Sequence, residues 1–143
     1  MELPEIGPRW LLISAAIMML IALAEAWLVT LILYAKVGAL KKLFPASHNL
    51  IRSHVDYTIM TALTGMYYLV VEHLALTIPD WVIVIYCVGV LYNPAGFIAK
   101  AINPKMGNSD SVLGRLLVCL GFVPATLGFG YLSLAILSAT LVA

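Results

Sequence analysis

Apolar and polar residues in this chain fall into blocks rather than alternating at a short period. Four apolar stretches, at about 10–35, 55–78, 81–99 and 116–143, each supply the roughly 20 residues needed to cross a bilayer's hydrocarbon core. The segments between them are short, so consecutive helices must run antiparallel. The pattern predicts an all-α fold: a single-domain integral membrane protein built as an antiparallel four-helix bundle over 1–143.

A cleaved signal peptide competes for the first stretch, because Ala22-Leu-Ala-Glu-Ala26 resembles a small-residue cleavage site. The extreme N-terminus carries Glu2 and Glu5 instead of lysines, and the apolar run continues nine residues past Ala26. The stretch therefore reads as a retained helix.

Basic residues assign the sides. Lys36, Lys41, Lys42 and Arg52 lie in or beside the first loop, and Lys100, Lys105 and Arg115 in the third, leaving only Arg9 elsewhere. By the positive-inside rule the first and third loops are cytoplasmic and both termini are outside. A bacterial inner membrane is the expected location. Ser109, Asp110 and Ser111 suit an N-cap for the fourth span, and Gly107-Asn108 a turn before it. Gly121, Ala125 and Gly128 form a small-residue stripe suited to close helix approach, within the bundle or between protomers.

Composition agrees with this picture. The hydrophobic fraction is 63% and the charged fraction 10%, against about 25% in a soluble domain. The net charge of +1 leaves no basic face for nucleic acid. Cys87 and Cys119 both sit in apolar runs, and no Cys-x-x-Cys or Cys/His cluster points to zinc.

The candidate chemistry is the small set of polar groups inside the apolar blocks, since such groups are expensive in a bilayer. Glu25 lies midway along the first span. His54, Asp56 and Tyr57 open the second, with Glu72 and His73 near its far end, and Asn93-Pro94 interrupts the third. Asn93 precedes Lys100 by seven residues, about 10 Å, so it lies at the depth of His54. His54, Asp56, Tyr57, Tyr92 and Asn93 are thus expected to share the cytoplasmic half of one cavity, with Glu25 deeper. Along the second helix His54, Tyr57/Thr58, Thr61, Gly65, Tyr68 and Glu72 line one face.

Plainer readings stand beside these. A histidine at a helix entrance is also explained by a bond to a carbonyl or a headgroup. Asp56 suits the positive end of a helix or a pair with Arg52, and Glu72 and His73 suit the outer interface. Asn93 is placed to bond carbonyls freed by Pro94. Tryptophans and tyrosines serve as belt or packing residues. Glu25 fits no such reading, because a mid-membrane carboxyl needs a partner or a proton.

A bis-histidine electron-transfer haem is excluded within one protomer. His48 and His54 share one segment, His73 is about 28 Å further along the helix, and the other spans carry no histidine. Any haem would have one histidine and an open sixth position, which favours catalysis or small-ligand binding.

Several features in order make the chain resemble the membrane-integral styrene oxide isomerase family. Arg52-Ser-His54 opens the second span, where that family has Arg-Ala-His. Tyr92-Asn93-Pro-Ala-Gly-Phe97 stands in the third span, where it has an aromatic residue followed by Asn and Gly-Phe. Asn103-Pro104 follows where the family has Ser-Pro, and Gly121-Phe-Val-Pro124-Ala is similar to an apolar run with proline in its fourth span. The resemblance implies a homotrimer with haem b near the protomer interfaces, His54 on the iron, and Asp56, Met60 and Phe97 around the cofactor. It also implies Asn93 as a polar group toward the substrate; Tyr57, Thr61 and Tyr92 are candidates to replace the polar groups that the family has and this chain lacks. Met60 and Phe97 depart from the family, which has asparagine and tyrosine at the corresponding places. The implied reaction converts a small lipophilic aryl epoxide to an aldehyde by ferric Lewis-acid ring opening and a 1,2-hydride shift. The competing expectations are a non-catalytic haem or small-ligand binding protein and a small proton-coupled transporter built on Glu25, Asp56 and Glu72.

Overall fold

The computed structural model describes residues 5–106 and 112–142, and its regular elements are all helical. They are α1 (Arg9–Leu33), α2 (Gly38–Leu43), α3 (His48–His73), α4 (Asp80–Ile102) and α5 (Val112–Val142). Three of them, α1, α4 and the segment Gly114–Leu141 of α5, are long and apolar enough to cross a membrane. α3, at 26 residues, is as long as α1 but carries more polar side chains and falls short on apolarity. The second expected span began at 55; the helix starts seven residues earlier, at His48, and ends before 78, at His73. A short helix, α2, occupies the basic first loop. The proposed N-cap and turn at 107–111 lie outside the described residues.

Cross-helix contacts fix the directions. α1 and α3 run antiparallel, with His54 against the Ala22 carbonyl and Thr61 against that of Ala15. α3 and α4 run antiparallel as well, since Ser53, Tyr57 and Thr64 meet Pro94, Leu91 and Tyr86 in turn. α5 lies antiparallel on α4, with Ala125 backing Gly89 and Gly128 backing Tyr86. The arrangement is more open than a symmetric bundle. α1 packs chiefly on α3 and less on α4, while α5 packs on α4 and barely touches α3. Adjacent helices form a curved row α1–α3–α4–α5, with α1 and α5 at its two edges.

The core lies where α1, α3 and α4 meet: Leu11, Met18, Ala22, Tyr57, Val71, Val82, Ile83, Tyr86 and Val90 cluster there, joined by Leu132 of α5. Aromatic edges tighten it, Tyr86 lying 4.8 Å from Phe129 and 5.9 Å from Tyr67 between ring centroids. Leucine, isoleucine, valine and phenylalanine cover the outside, among them Leu20, Leu23, Leu120, Phe122, Leu127 and Leu134. A soluble monomer rarely exposes so continuous an apolar surface, whereas a helix facing lipid requires it. A second, smaller cluster of Ile32, Phe44, Leu50 and Ala101 closes one end. There the Ala46 amide donates to the Ala101 carbonyl at 3.2 Å, so the basic first loop and the Lys100–Lys105 segment sit together.

Two of the seams have different construction. At the α4/α5 seam a Cβ added to Gly128 would come within 2.7 Å of the Tyr86 backbone, and one added to Gly89 would overlap Ala125. Gly121 lies against Tyr92 and Asn93. The small-residue stripe therefore serves packing within the chain. The α3 seams use hydrogen bonds instead.

Candidate functional site

Pro94 interrupts α4 and has no amide hydrogen to give. Asn93 is expected to compensate for the carbonyl this frees; the bonds the structure shows at this turn come from α3. Tyr57 donates its hydroxyl to the Leu91 carbonyl at 2.8 Å, and Ser53 donates to that of Pro94 at 3.0 Å. Both side chains are buried. Tyr57 is thus committed to holding α4, and its hydroxyl hydrogen is spent. Ser53 was not singled out from the sequence; its spacing of one turn from Tyr57, opposite an in-helix proline, was the available signal.

One residue further on, helical rotation of about 100° turns His54 away from α4 and onto α1. Its Nδ1 lies 2.9 Å from the Ala22 carbonyl oxygen. A carbonyl only accepts, so Nδ1 is the donor; in the neutral ring Nε2 is then the nitrogen with the lone pair. The half-buried ring thus has one nitrogen anchored and one uncommitted. Residues Ile51, Val55 and Ile59 on the same helix are exposed and apolar. Glu25 was expected deeper than His54, but its carboxyl lies beside Ser53 and the His54 imidazole. It is 3% exposed, and neither oxygen has a hydrogen-bond partner.

The third-span motif builds a separate feature. Tyr92, Asn93, Gly96, Phe97 and Lys100 of α4, with Leu117, Val118 and Phe122 of α5, line a cavity of about 320 Å³ that also takes in Met106. It is open on one side and mostly apolar, with the Tyr92 and Asn93 polar groups on its wall. His54, Asp56, Tyr57 and Met60 are not among its lining residues. The expected common cavity is therefore divided within the chain: His54 on the α1/α3 flank, Tyr92, Asn93 and Phe97 on the α4/α5 flank. Both lie at one depth, because Ser53, next to His54, bonds Pro94, next to Asn93. Met60 packs against the core, and Asp56 is half-buried on α3. Among the described residues no three His, Cys, Asp or Glu side chains gather as a metal cluster.

Comparison with protein-family models, with curated proteins and with solved structures finds no match to this chain.

Proposed function

We propose that the chain is a haem b-dependent membrane isomerase of small lipophilic epoxides, with α3 as its fourth membrane span. The observation that carries the reading is the His54 ring. Its Nδ1–H is tied to the Ala22 carbonyl, which in the neutral ring leaves Nε2 as the lone-pair nitrogen. Metal-ligating histidines are characteristically held in this way. The order of the Arg52-Ser-His54 and Tyr92–Phe97 motifs, which resembles the styrene oxide isomerases, supplies the choice of cofactor.

The shortfall in α3 apolarity does not oppose a span. Tyr57, Thr58, Thr61, Thr64 and Tyr67 all make hydrogen bonds inside the protein, so their polar atoms need no water. With the basic loops on the cytoplasmic side, both termini lie outside.

The donor set fits a b-type haem with one protein ligand. His54 would hold the iron, and His48 and His73, at the two ends of α3, are too distant to supply a second ligand. When bound, ferric haem would supply a Lewis acid for the epoxide oxygen. The residues of this chain do the rest. The exposed apolar face around Ile51, Val55 and Ile59 offers lipophilic walls, and a neighbouring copy completes the enclosure. In a ring of three protomers the α1/α3 flank of one faces the α4/α5 flank of the next, bringing a Tyr92/Asn93 cavity toward a His54 at the same depth. Asn93 and Tyr92 orient the substrate oxygen, while Phe97, Leu117 and Phe122 exclude water from the carbon that bears developing positive charge. Tyr57 acts only by holding α4, and Met60 only by packing.

The test is an absorption spectrum of detergent-purified protein beside His54→Ala, followed by conversion of an aryl epoxide to its aldehyde. The expected result is a Soret band that disappears in the variant, with aldehyde formation lost as well. A folded wild type that takes up no haem during supplemented expression overturns the reading.

A further inference from the structure

Glu25 is left without a task by the account so far. An ionised or neutral carboxyl removed from water and left unpaired is costly, and α1 carries this one at 3% exposure with both oxygens free. The neighbouring donors are already committed. Ser53 gives its hydrogen to Pro94, Tyr57 to Leu91 and Thr58 to the His54 carbonyl. Thr61 points to the Tyr57 and Ala15 carbonyls, a turn further away. The hydrogen that remains at this place is the His54 Nδ1–H, held by Ala22. Ala22 and Glu25 are three residues apart on α1 and so share one helix face. The carbonyl of Ala22 points along α1 toward the turn that bears Glu25. The imidazole therefore bonds a backbone carbonyl, with a buried carboxyl close by that makes no hydrogen bond of its own.

We infer that Glu25 is a positioning residue for His54: its buried carboxyl, lying beside the imidazole with no hydrogen bond to it in this structure, acts through space on the ring that the Ala22 carbonyl holds and, when ionised, makes Nε2 a stronger donor. Its consequence at iron rests on the haem reading above; the Glu25–His54 pairing itself does not. A carboxylate behind a ligating histidine raises the basicity of the ligand and holds its ring plane. It also places negative charge near the metal in a medium of low dielectric constant, where that charge is felt strongly. This assigns a purpose to a group that is otherwise a liability in the membrane.

The experiment compares the full-length chain with Glu25→Gln and Glu25→Leu in detergent. Glutamine keeps the volume and an accepting oxygen while removing the charge; leucine removes both and suits a buried apolar position, so folding is retained in at least one. The first readout needs no cofactor: proton and nitrogen-15 resonances of His54. The Nδ1 proton is expected to move upfield in both variants, more so in leucine, and an unchanged resonance overturns the inference. The second readout is taken on haem-loaded protein. The iron–histidine stretch of the ferrous form is expected to fall, and the midpoint potential to shift positive, with the Soret band retained. A loaded protein in which neither moves in either variant overturns the role in positioning the ligand. A wild type that shows no Soret band, but whose His54 resonance responds to Glu25→Gln, overturns the haem reading and upholds the pairing. Proton uptake in proteoliposomes that is lost in Glu25→Gln, with the His54 resonance unmoved, identifies a proton-transfer carboxyl and also overturns the inference.

Discussion

The two sides of α4 are joined to their neighbours by opposite means. Toward α3 the contacts are hydrogen bonds: Ser53 to Pro94, Tyr57 to Leu91 and Thr64 with Tyr86 at 3.0 Å. Toward α5 they are backbones brought close at Gly89, Gly121 and Gly128. Lipid removes the hydrophobic drive between helices, leaving interhelical hydrogen bonds and close packing as the two remaining routes to association. This protein assigns one route to each seam, with consequences for the site. The polar seam accommodates Pro94 and Ser53, while His54, one residue from Ser53, turns to α1, and Tyr92 and Asn93 lie on the α5 side. A seam of small residues leaves a groove where the large side chains diverge, and the 320 Å³ cavity lies at its basic end.

The largest expected effect breaks the small-residue seam. Gly128→Leu would drive a side chain into the Tyr86 backbone, which cannot yield as a flexible side chain would. Overpacking of this kind costs about 3 kcal/mol or more when backbone must move. We expect loss of α4–α5 docking, read as collapse of disulfide cross-linking between cysteines introduced on the facing helices. Gly130 is the internal control, because an added Cβ there meets nothing within 4 Å. Gly130→Ala should leave cross-linking intact and stability unchanged or slightly raised. Equal damage at both glycines would mean that α5 is not seated through this stripe.

A smaller effect probes the polar seam. Tyr57→Phe leaves the Leu91 carbonyl without the donor it has at 2.8 Å, beside a proline that already weakens the local helix. Hydrogen bonds between membrane helices are worth about 0.6–2 kcal/mol, so thermal unfolding in detergent should drop by an amount in that range. Pairing the change with Pro94→Ala in a double-mutant cycle separates the roles. If Tyr57 acts by holding α4, the two changes couple, and epoxide turnover per folded molecule is retained in Tyr57→Phe. A turnover loss of 100-fold at unchanged stability would return Tyr57 to the reacting centre.

The contrast between seams also explains what the sequence made legible. The three long apolar helices α1, α4 and α5 were readable because bilayer thickness sets a length that apolar blocks either reach or miss. α3 was readable as a helix, although its polar side chains lower its apolarity below that of the other three. The partner of each face was not readable. A polar stripe at three- and four-residue steps marks a protein-facing surface, but His54 and Ser53, one residue apart, turn to different helices. The division of His54 from the Tyr92/Asn93 cavity follows from that single step. A stripe of glycine and alanine is likewise indifferent to its neighbour, and only Tyr86, Gly89 and Tyr92 opposite it settle that the neighbour is α4. Depth from the nearest lysine placed Asn93 level with His54 but put Glu25 too deep, because α3 starts at His48 and carries His54 six residues into the helix, opposite Ala22. That earlier start was invisible in a segment read as loop.

The smallest expected effect lies on neither seam. Ala75 ends α3 in the left-handed region, with φ of 49°, a conformation costly for a residue with a Cβ. The surrounding bonds require it there: its amide donates to Glu72 at 3.1 Å and that of Leu76 to Val71 at 3.0 Å, the pattern of a Schellman cap. Leu76 then packs beside Val71 on the core, so the backbone cannot relax without releasing that contact. Glycine removes the steric penalty and keeps the bonds, although it adds freedom to the unfolded chain. The balance favours Ala75→Gly by roughly 0.5–1 kcal/mol, read as a small rise in unfolding temperature. Because the turn contacts neither the hydrogen-bonded seam nor the small-residue seam, the gain should add to the losses from Tyr57→Phe and Gly128→Leu without coupling. Coupling to Tyr57→Phe would show that the α3 terminus and the Pro94 turn move together, and that the polar seam extends along the whole helix.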